Sequence, residues 1–342
     1  MDIIVIAYVL LIILFLRPAL SKKISDNFLS VESTGYLRGI MAIGVVLTHL
    51  SDSLTGYTLL SYFQHAGYLL VAVFFFLSGF GLISQYKKKG KAYLETFWKK
   101  RILFFVIILL IDTAIYLVVK SFNDKNFSFS EIIRLAWLGK PIANASWYLI
   151  AQICFYIYFW ISFRFLSANG KSIIALSLLV LAHTAILSII NYPVFWLISN
   201  ISFPAGVIIG TYKDKLVTVL EKSYWAVLAV ILALFAAFSA IPLFLSETPV
   251  YVICRNLSSA LFALIVSLLL CKIRIASGLW NRVGIISLEI YLFHMLAFEL
   301  LRGKYINISN NVLYSLACIA VALIIAVPMH MLFGRIKKGL SE

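Results

Sequence analysis

Residues 65–91 read HAGYLLVAVFFFLSGFGLISQYKKKGK, about 20 positions without a charge followed by four lysines in five. At 1.5 Å of rise per residue, such a run is long enough as a helix to cross roughly 30 Å of hydrocarbon. A barrel strand would instead alternate apolar and polar residues, and this run does not. The lysines then orient it. Lys87, Lys88, Lys89, Lys91, Lys99, Lys100 and Arg101 form one basic run, and by the positive-inside rule the loop that holds them is cytoplasmic.

The same pattern recurs along the whole chain. Of 342 residues 63% are hydrophobic and 13% charged, a mixture too apolar for one water-soluble core. Apolar runs centred near 2–18, 35–54, 65–84, 102–120, 146–166, 172–190, 193–211, 225–245, 251–272, 283–301 and 311–333 predict an all-α, polytopic transmembrane helix bundle of about 11 spans. No linker or short-period repeat divides them, so residues 1–342 are read as one membrane-embedded domain. Pro193, Pro204 and Pro328 are compatible with such helices, because neighbours in a bundle can satisfy the freed carbonyls.

A net charge of +15 raises the question of nucleic acid, and the placement of the basic residues answers it. Alternating the loops from the lysine run puts Arg17, Lys22, Lys23, Arg38, Arg164, Lys171, Lys213, Lys215, Lys222, Lys272, Arg274, Arg282, Arg335, Lys337 and Lys338 on the same side, about 22 of the 29 cations in all. About seven remain outside: Lys120, Lys125, Arg134, Lys140, Arg255, Arg302 and Lys304. Topology accounts for the charge without nucleic acid, with the amino terminus outside and the carboxyl terminus cytoplasmic. The first run begins with Asp2 and its positive charges follow it, the order of a retained anchor and not of a secretory signal. A basic inner face attracts membrane lipid or a phosphorylated ligand. Cys154, Cys254, Cys271 and Cys318 lie in apolar segments without metal-ligand spacing, so no metal is expected.

Chemistry concentrates in the second span. An ionisable residue inside a membrane helix is costly to bury, which makes Arg38 and His49 functional candidates. Eleven residues at about 100° each return both side chains to nearly one face, about 16 Å apart along the axis. That separation suits coenzyme A, with phosphates on a guanidinium at the cytoplasmic boundary and an extended arm carrying its thioester to a deeper base. Asp52, one turn beyond His49, is placed to orient the imidazole or to cap the helix. Each residue also has a plainer reading, Arg38 as a snorkelling cation and His49 as a packed polar group.

At these residues the chain resembles the acyltransferase 3 family, integral membrane enzymes that O-acylate mostly cell-surface carbohydrates. Leu37-Arg38-Gly39-Ile40 to Thr48-His49 is similar to the family's arginine, ten residues, histidine signature. Phe74-Phe75-Phe76-Leu77-Ser78-Gly79-Phe80 resembles its Phe-Leu-Ser-Gly-Phe segment, Trp147-Tyr148-Leu149 its Trp-aromatic-Leu start of a span, and Gly284 to His294 its late Gly-x-x-Ser-Tyr-x-x-Tyr-Leu-x-His segment. The anchors run in order from about 35 to 295. Leu288 and Glu289 depart from the last motif, which leaves that segment's role open.

The resemblance implies a catalytic role for His49 with Arg38 as its paired arginine; from the residues themselves Asp52 is the candidate orienting partner, and Arg101, Ser78 and Gly79 are candidates, with Arg38, for holding coenzyme A. The resemblance also implies an acyl-coenzyme A donor, acetyl first among the choices, a carbohydrate acceptor that is extracytoplasmic or lipid-linked, and residence in the bacterial plasma membrane. Trp147, Tyr148, Tyr291 and His294 are the acceptor-side candidates. An aromatic belt would equally explain the first two, and Ser78-Gly79 could serve helix packing alone. Gly284, Ser287, Tyr291 and His294 fall within about 80° on a helical wheel and form a polar seam. Glu289 points away from it.

Two other classes fit many spans. A transporter or flippase could relay protons through Glu289 and His294, and a glycan polymerase or ligase would carry larger outer loops than the segment 121–145.

Overall fold

The computed structural model describes residues 2–342 apart from 22, 26, 55, 167, 168, 246 and 247; the side chains of 17, 169 and 274–276 also lie outside the description. Lys22 and the side chains of Arg17 and Arg274, counted above among the cytoplasmic cations, therefore lie outside the described residues. The helices are α1 (Asp2–Phe15), α2 (Val31–Ser53), α3 (Thr58–Gln64), α4 (Gly67–Lys89), α5 (Ala92–Glu95), α6 (Phe104–Phe122), α7 (Phe129–Trp137) and α8 (Trp147–Phe165). After them come α9 (Asn169–Ile189), α10 (Ser202–Thr211), α11 (Lys213–Ala240), α12 (Pro249–Lys272), α13 (Gly278–Ile285), α14 (Ser287–Leu301) and α15 (Asn311–Gly339).

Every apolar run became a helix, but not every helix is a full crossing. Among the described residues seven helices are long and apolar enough to cross a membrane, or nine if the pairs α2 with α3 and α13 with α14 each count as one bent span. The runs near 2–18 and 193–211 supply only α1, of 14 residues, and α10, of 10. At 1.5 Å per residue these reach about 21 and 15 Å, short of the hydrocarbon thickness. By length the structure thus supports seven to nine crossings where hydropathy suggested eleven. One strand pair also departs from an all-helical expectation: β1 (Arg17–Leu20) runs antiparallel to β2 (Ile273–Ala276), joining the ends of α1 and α12.

Two close helix crossings build the centre, and glycine permits both. A methyl group on Gly79 of α4 would overlap the Phe203 carbonyl of α10, and one on Gly206 would overlap the Phe76 carbonyl in return. Gly39 of α2 meets the Trp280 carbonyl of α13, while Gly284 lies against Gly35. Small residues that let backbones meet are the usual basis of helix association in lipid, where apolar burial gives no advantage of protein over solvent. These crossings set α2 between α4 and the α13–α14 pair, and α4 between α2 and α10.

The segment between α6 and α8 lies across the end opposite the lysine run. Its α7 is closed by a capping box in which Ser128 and Glu131 satisfy each other's backbone. Phe129, Ile133 and Trp137, spaced by four, are exposed, the pattern of a helix resting at a membrane interface. Gly139, at φ +71°, turns the chain immediately afterwards and places the exposed residues Lys140 and Asn144 at the rim of a cavity described below.

Candidate active site

The face of α2 that carries Arg38 and His49 is lined by three cavities that adjoin end to end. The first, about 600 Å³, opens at the lysine-rich end between α2, α4 and α11 and is bordered by Thr34, Arg38, Ser84, Lys87, Lys88, Lys213 and Asp214. Arg38 and Leu77 also border the second, of about 230 Å³, with Phe74, Ser78, Tyr148, Gln152 and Ser287. Tyr291 is common to the second and the third, a chamber of about 720 Å³ at the opposite end that contains His49, Asp52, Trp147 and Arg255. Since α4 runs from Tyr68 in the third cavity to Lys87 and Lys88 in the first, the three together follow its length.

His49 stands at the inner end of this path. Its Nδ1 is 3.5 Å from Asp52 Oδ2, one helical turn on, longer than a good hydrogen bond but in the geometry expected of a resting base and its orienter. A carboxylate only accepts, so the contact favours a hydrogen on Nδ1 and leaves Nε2 as the lone pair available for chemistry. On its other side the ring stacks on His294, with centroids 5.0 Å apart and planes 27° from parallel. His294 is fully buried and donates from Nδ1 to the Tyr291 carbonyl at 2.7 Å. Its Nε2 is buried with no partner among the described residues.

The polar seam of α13 and α14 faces α2 along its whole length. Gly284 packs on Gly35, Ser287 borders the middle cavity, Tyr291 divides it from the outer one, and His294 stacks on His49. The two readings of this seam, packing and path wall, describe different residues of it. Glu289, on the far side, pairs with His330 of α15 at 3.0 Å and is not a partner of His294.

Around the middle cavity the donors and acceptors are largely engaged with one another. Gln152 Nε2 donates to Ser78 Oγ at 2.9 Å, and Ser78 Oγ shares a hydrogen with Tyr156 Oη at 2.9 Å. Gln152 is fully buried and borders this cavity, and its Oε1 has no hydrogen-bond partner among the described residues. Arg38 donates weakly to the Val31 carbonyl at 3.4 Å, its Nε has no partner, and no carboxylate lies within ion-pair distance of it among the described residues.

The other expected residues divide. Ser78 borders the path, whereas its neighbour Gly79 faces α10 and serves the helix crossing. Arg101, in the π-helical turn Trp98–Leu103, lies over the Tyr93 ring at 6.0 Å and borders none of the three cavities. Trp147 points inward, against Phe75, Phe195 and Trp196, and lines the outer chamber instead of a lipid belt. Tyr148 packs on Phe74 and on Tyr291, at 6.4 and 5.0 Å between centroids, and walls the middle cavity. Not singled out from sequence were Gln152, one turn beyond Tyr148, and Arg255; a polar residue inside an apolar helix was the available signal for both.

The structure is thus a bundle of apolar helices with His49 in a chamber at one end and a cation-lined cavity at the other. Residues 32–331 match the family model for the Acyltransferase domain, Acyl_transf_3, nearly the whole chain, and the protein belongs to that family. No curated protein and no solved structure matches it.

Proposed function

We propose that this acyltransferase takes an acyl group, acetyl in the first instance, from acyl-coenzyme A at the cytoplasmic face and transfers it to a hydroxyl of an extracytoplasmic or lipid-linked carbohydrate, with His49 as general base. The observation that supports the reading is that the three cavities adjoin in a row along one face of α2, neighbours sharing the wall residues Arg38, Leu77 and Tyr291. Lys87, Lys88 and Lys213 stand at the donor's entrance with Arg38 beyond them, so the phosphates meet four cations against the single carboxylate of Asp214. The arm then passes Ser78 and Gln152, whose free Oε1 accepts from an amide of the arm.

In the outer chamber the acceptor hydroxyl approaches His49 Nε2. As the imidazole removes the proton, the oxygen adds to the thioester carbonyl carbon; the carbon–sulfur bond then breaks, and the departing sulfur takes the proton back from the imidazolium. Asp52 holds the ring and stabilises its transient charge, as carboxylates do beside catalytic histidines. General-base catalysis of this kind is worth about 10²–10⁴ in rate.

The test is direct. Purified protein in lipid nanodiscs, given acyl-labelled acetyl-coenzyme A and a glycan acceptor, should leave label covalently on the acceptor, and His49→Ala should lose this while remaining folded. A folded His49→Ala protein with wild-type turnover would remove His49 from the mechanism. In sealed proteoliposomes, label that crosses the bilayer without covalent transfer would instead indicate transport.

A further inference from the structure

The outer chamber contains two cations that this chemistry does not use. Arg255 of α12 lies between two tyrosines, its guanidinium carbon 4.9 Å from the Tyr68 ring centroid and 5.1 Å from that of Tyr251. It donates from Nη1 to Tyr68 Oη at 3.0 Å, and its Nε is buried without a partner. Lys140, exposed on the turn after Gly139, borders the same chamber. Neither has a carboxylate within ion-pair distance among the described residues.

Three of the other cations at this end are compensated: Lys120 and Lys125 share Glu299 at 2.6 and 3.2 Å, and Lys304 meets Asp124 at 2.8 Å. Arg134 and Arg302 have no carboxylate within ion-pair distance among the described residues either, though Arg302 is held by the Ile308 carbonyl and Asn311. What sets the chamber apart is that two such cations border one cavity. Of the charged groups that border the chamber, Asp52 is the carboxylate, and it is engaged at His49.

Two aromatic faces hold the Arg255 guanidinium in place and Tyr68 Oη takes one of its five hydrogens, which leaves donors for the paired oxygens of a carboxylate or phosphate. Neutral sugar hydroxyls could occupy those donors without offsetting the charge, which is costly to keep among aromatic walls. We infer that Arg255, with Lys140, forms an anion subsite in the outer chamber that takes a carboxylate or phosphate group of the acceptor, so that the acceptor is an acidic glycan. The inference rests on the acceptor occupying this chamber, as proposed above.

Binding tests it without any acyl transfer. Protein in nanodiscs of neutral lipid is titrated with tetragalacturonate and its carboxyl-reduced, uncharged counterpart, and with a hexose 1-phosphate and the free hexose. At least one anionic probe should bind about tenfold or more tightly than its neutral twin. Arg255→Gln should reduce that preference, and so should Lys140→Gln, which sits on an exposed turn and spares the helix packing. Preference within the uronate pair alone assigns the anion to an acidic sugar, and within the phosphate pair alone to a phosphorylated one.

Wild-type protein that binds no anionic probe better than its twin overturns the subsite, as does a preference that survives both substitutions. Because donor and chemistry are absent, a preserved preference beside failed transfer counts against the acyltransfer mechanism and not against the subsite.

Discussion

His49 of α2 and His294 of α14 stack nearly face to face, 5.0 Å between ring centroids. One ring is exposed to the outer chamber and the other is sealed behind it, pinned through Nδ1 by the Tyr291 carbonyl. If His49 is the base proposed above, the buried imidazole of His294 sets the plane of its ring. His294→Ala should lower turnover by about tenfold to a hundredfold, the scale of a base displaced by a fraction of an ångström, without altering donor KM. His294→Phe restores a ring to the stack and should recover part of the loss. Unchanged turnover in His294→Ala would reduce the stack to packing.

Arg38 borders both the entrance and the middle cavity without an anionic partner. Arg38→Gln should raise KM for acyl-coenzyme A about tenfold or more, with a smaller effect on kcat, since a hydrogen bond to a charged group is worth about 1.5–3 kcal/mol. Arg38→Lys should restore little, because a point charge cannot reproduce a bidentate fork. Steady-state kinetics with varied donor decides this, and an unaltered KM would make Arg38 a topological anchor.

Gly79 and Gly81 sit two residues apart on α4 and predict opposite results. A methyl on Gly79 would meet the Phe203 backbone, whereas one on Gly81 meets nothing within 4 Å. Gly79→Ala should destabilise by about 1–3 kcal/mol. Gly81→Ala should be neutral or stabilising by about 0.5–1 kcal/mol, the gain of replacing glycine inside a helix. Thermal unfolding in detergent compares them; equal shifts would mean that the α4–α10 crossing relaxes readily.

Glu289 and His330 form a pair whose carboxylate is buried and whose imidazole is half exposed. Glu289→Gln should retain most of its turnover, and Glu289→Ala should lower thermal stability by removing a buried partner. A folded Glu289→Gln protein without transfer would return this carboxylate to the chemistry as a proton relay.

What could be read from sequence depended on whether the relevant partners share a helix. Arg38, His49 and Asp52 share α2, so their common face follows from helical periodicity, and the same holds for Ser287, Tyr291 and His294 on α14; Gly284 stands on α13, across a bend of 73° that one continuous helical wheel does not anticipate. Gly79 was open to two readings because its partner, Phe203, lies on another helix, and no periodicity of α4 names it. Span counting failed where apolar composition outlasted the helix. Pro18 follows the end of α1 within three residues, and Pro193 begins a 3₁₀ turn that uses up the residues before α10. Arg255 looked like one of the few outer charges until α2, α4, α8 and α12 were seen to enclose one chamber around it.

Phe74, Tyr148 and Tyr291 meet where the middle and outer cavities adjoin, their ring centroids 5.0 to 6.4 Å apart. A membrane protein hollow from both ends is one constriction away from being a leak. These three rings, packed against one another, are the electrical insulation of the molecule: an arm reaches past them only by parting them, and a hydrated ion would have to shed its water against their faces. Widening the gap to admit a bulkier cargo would therefore tax the cell's ion gradients before it improved the chemistry.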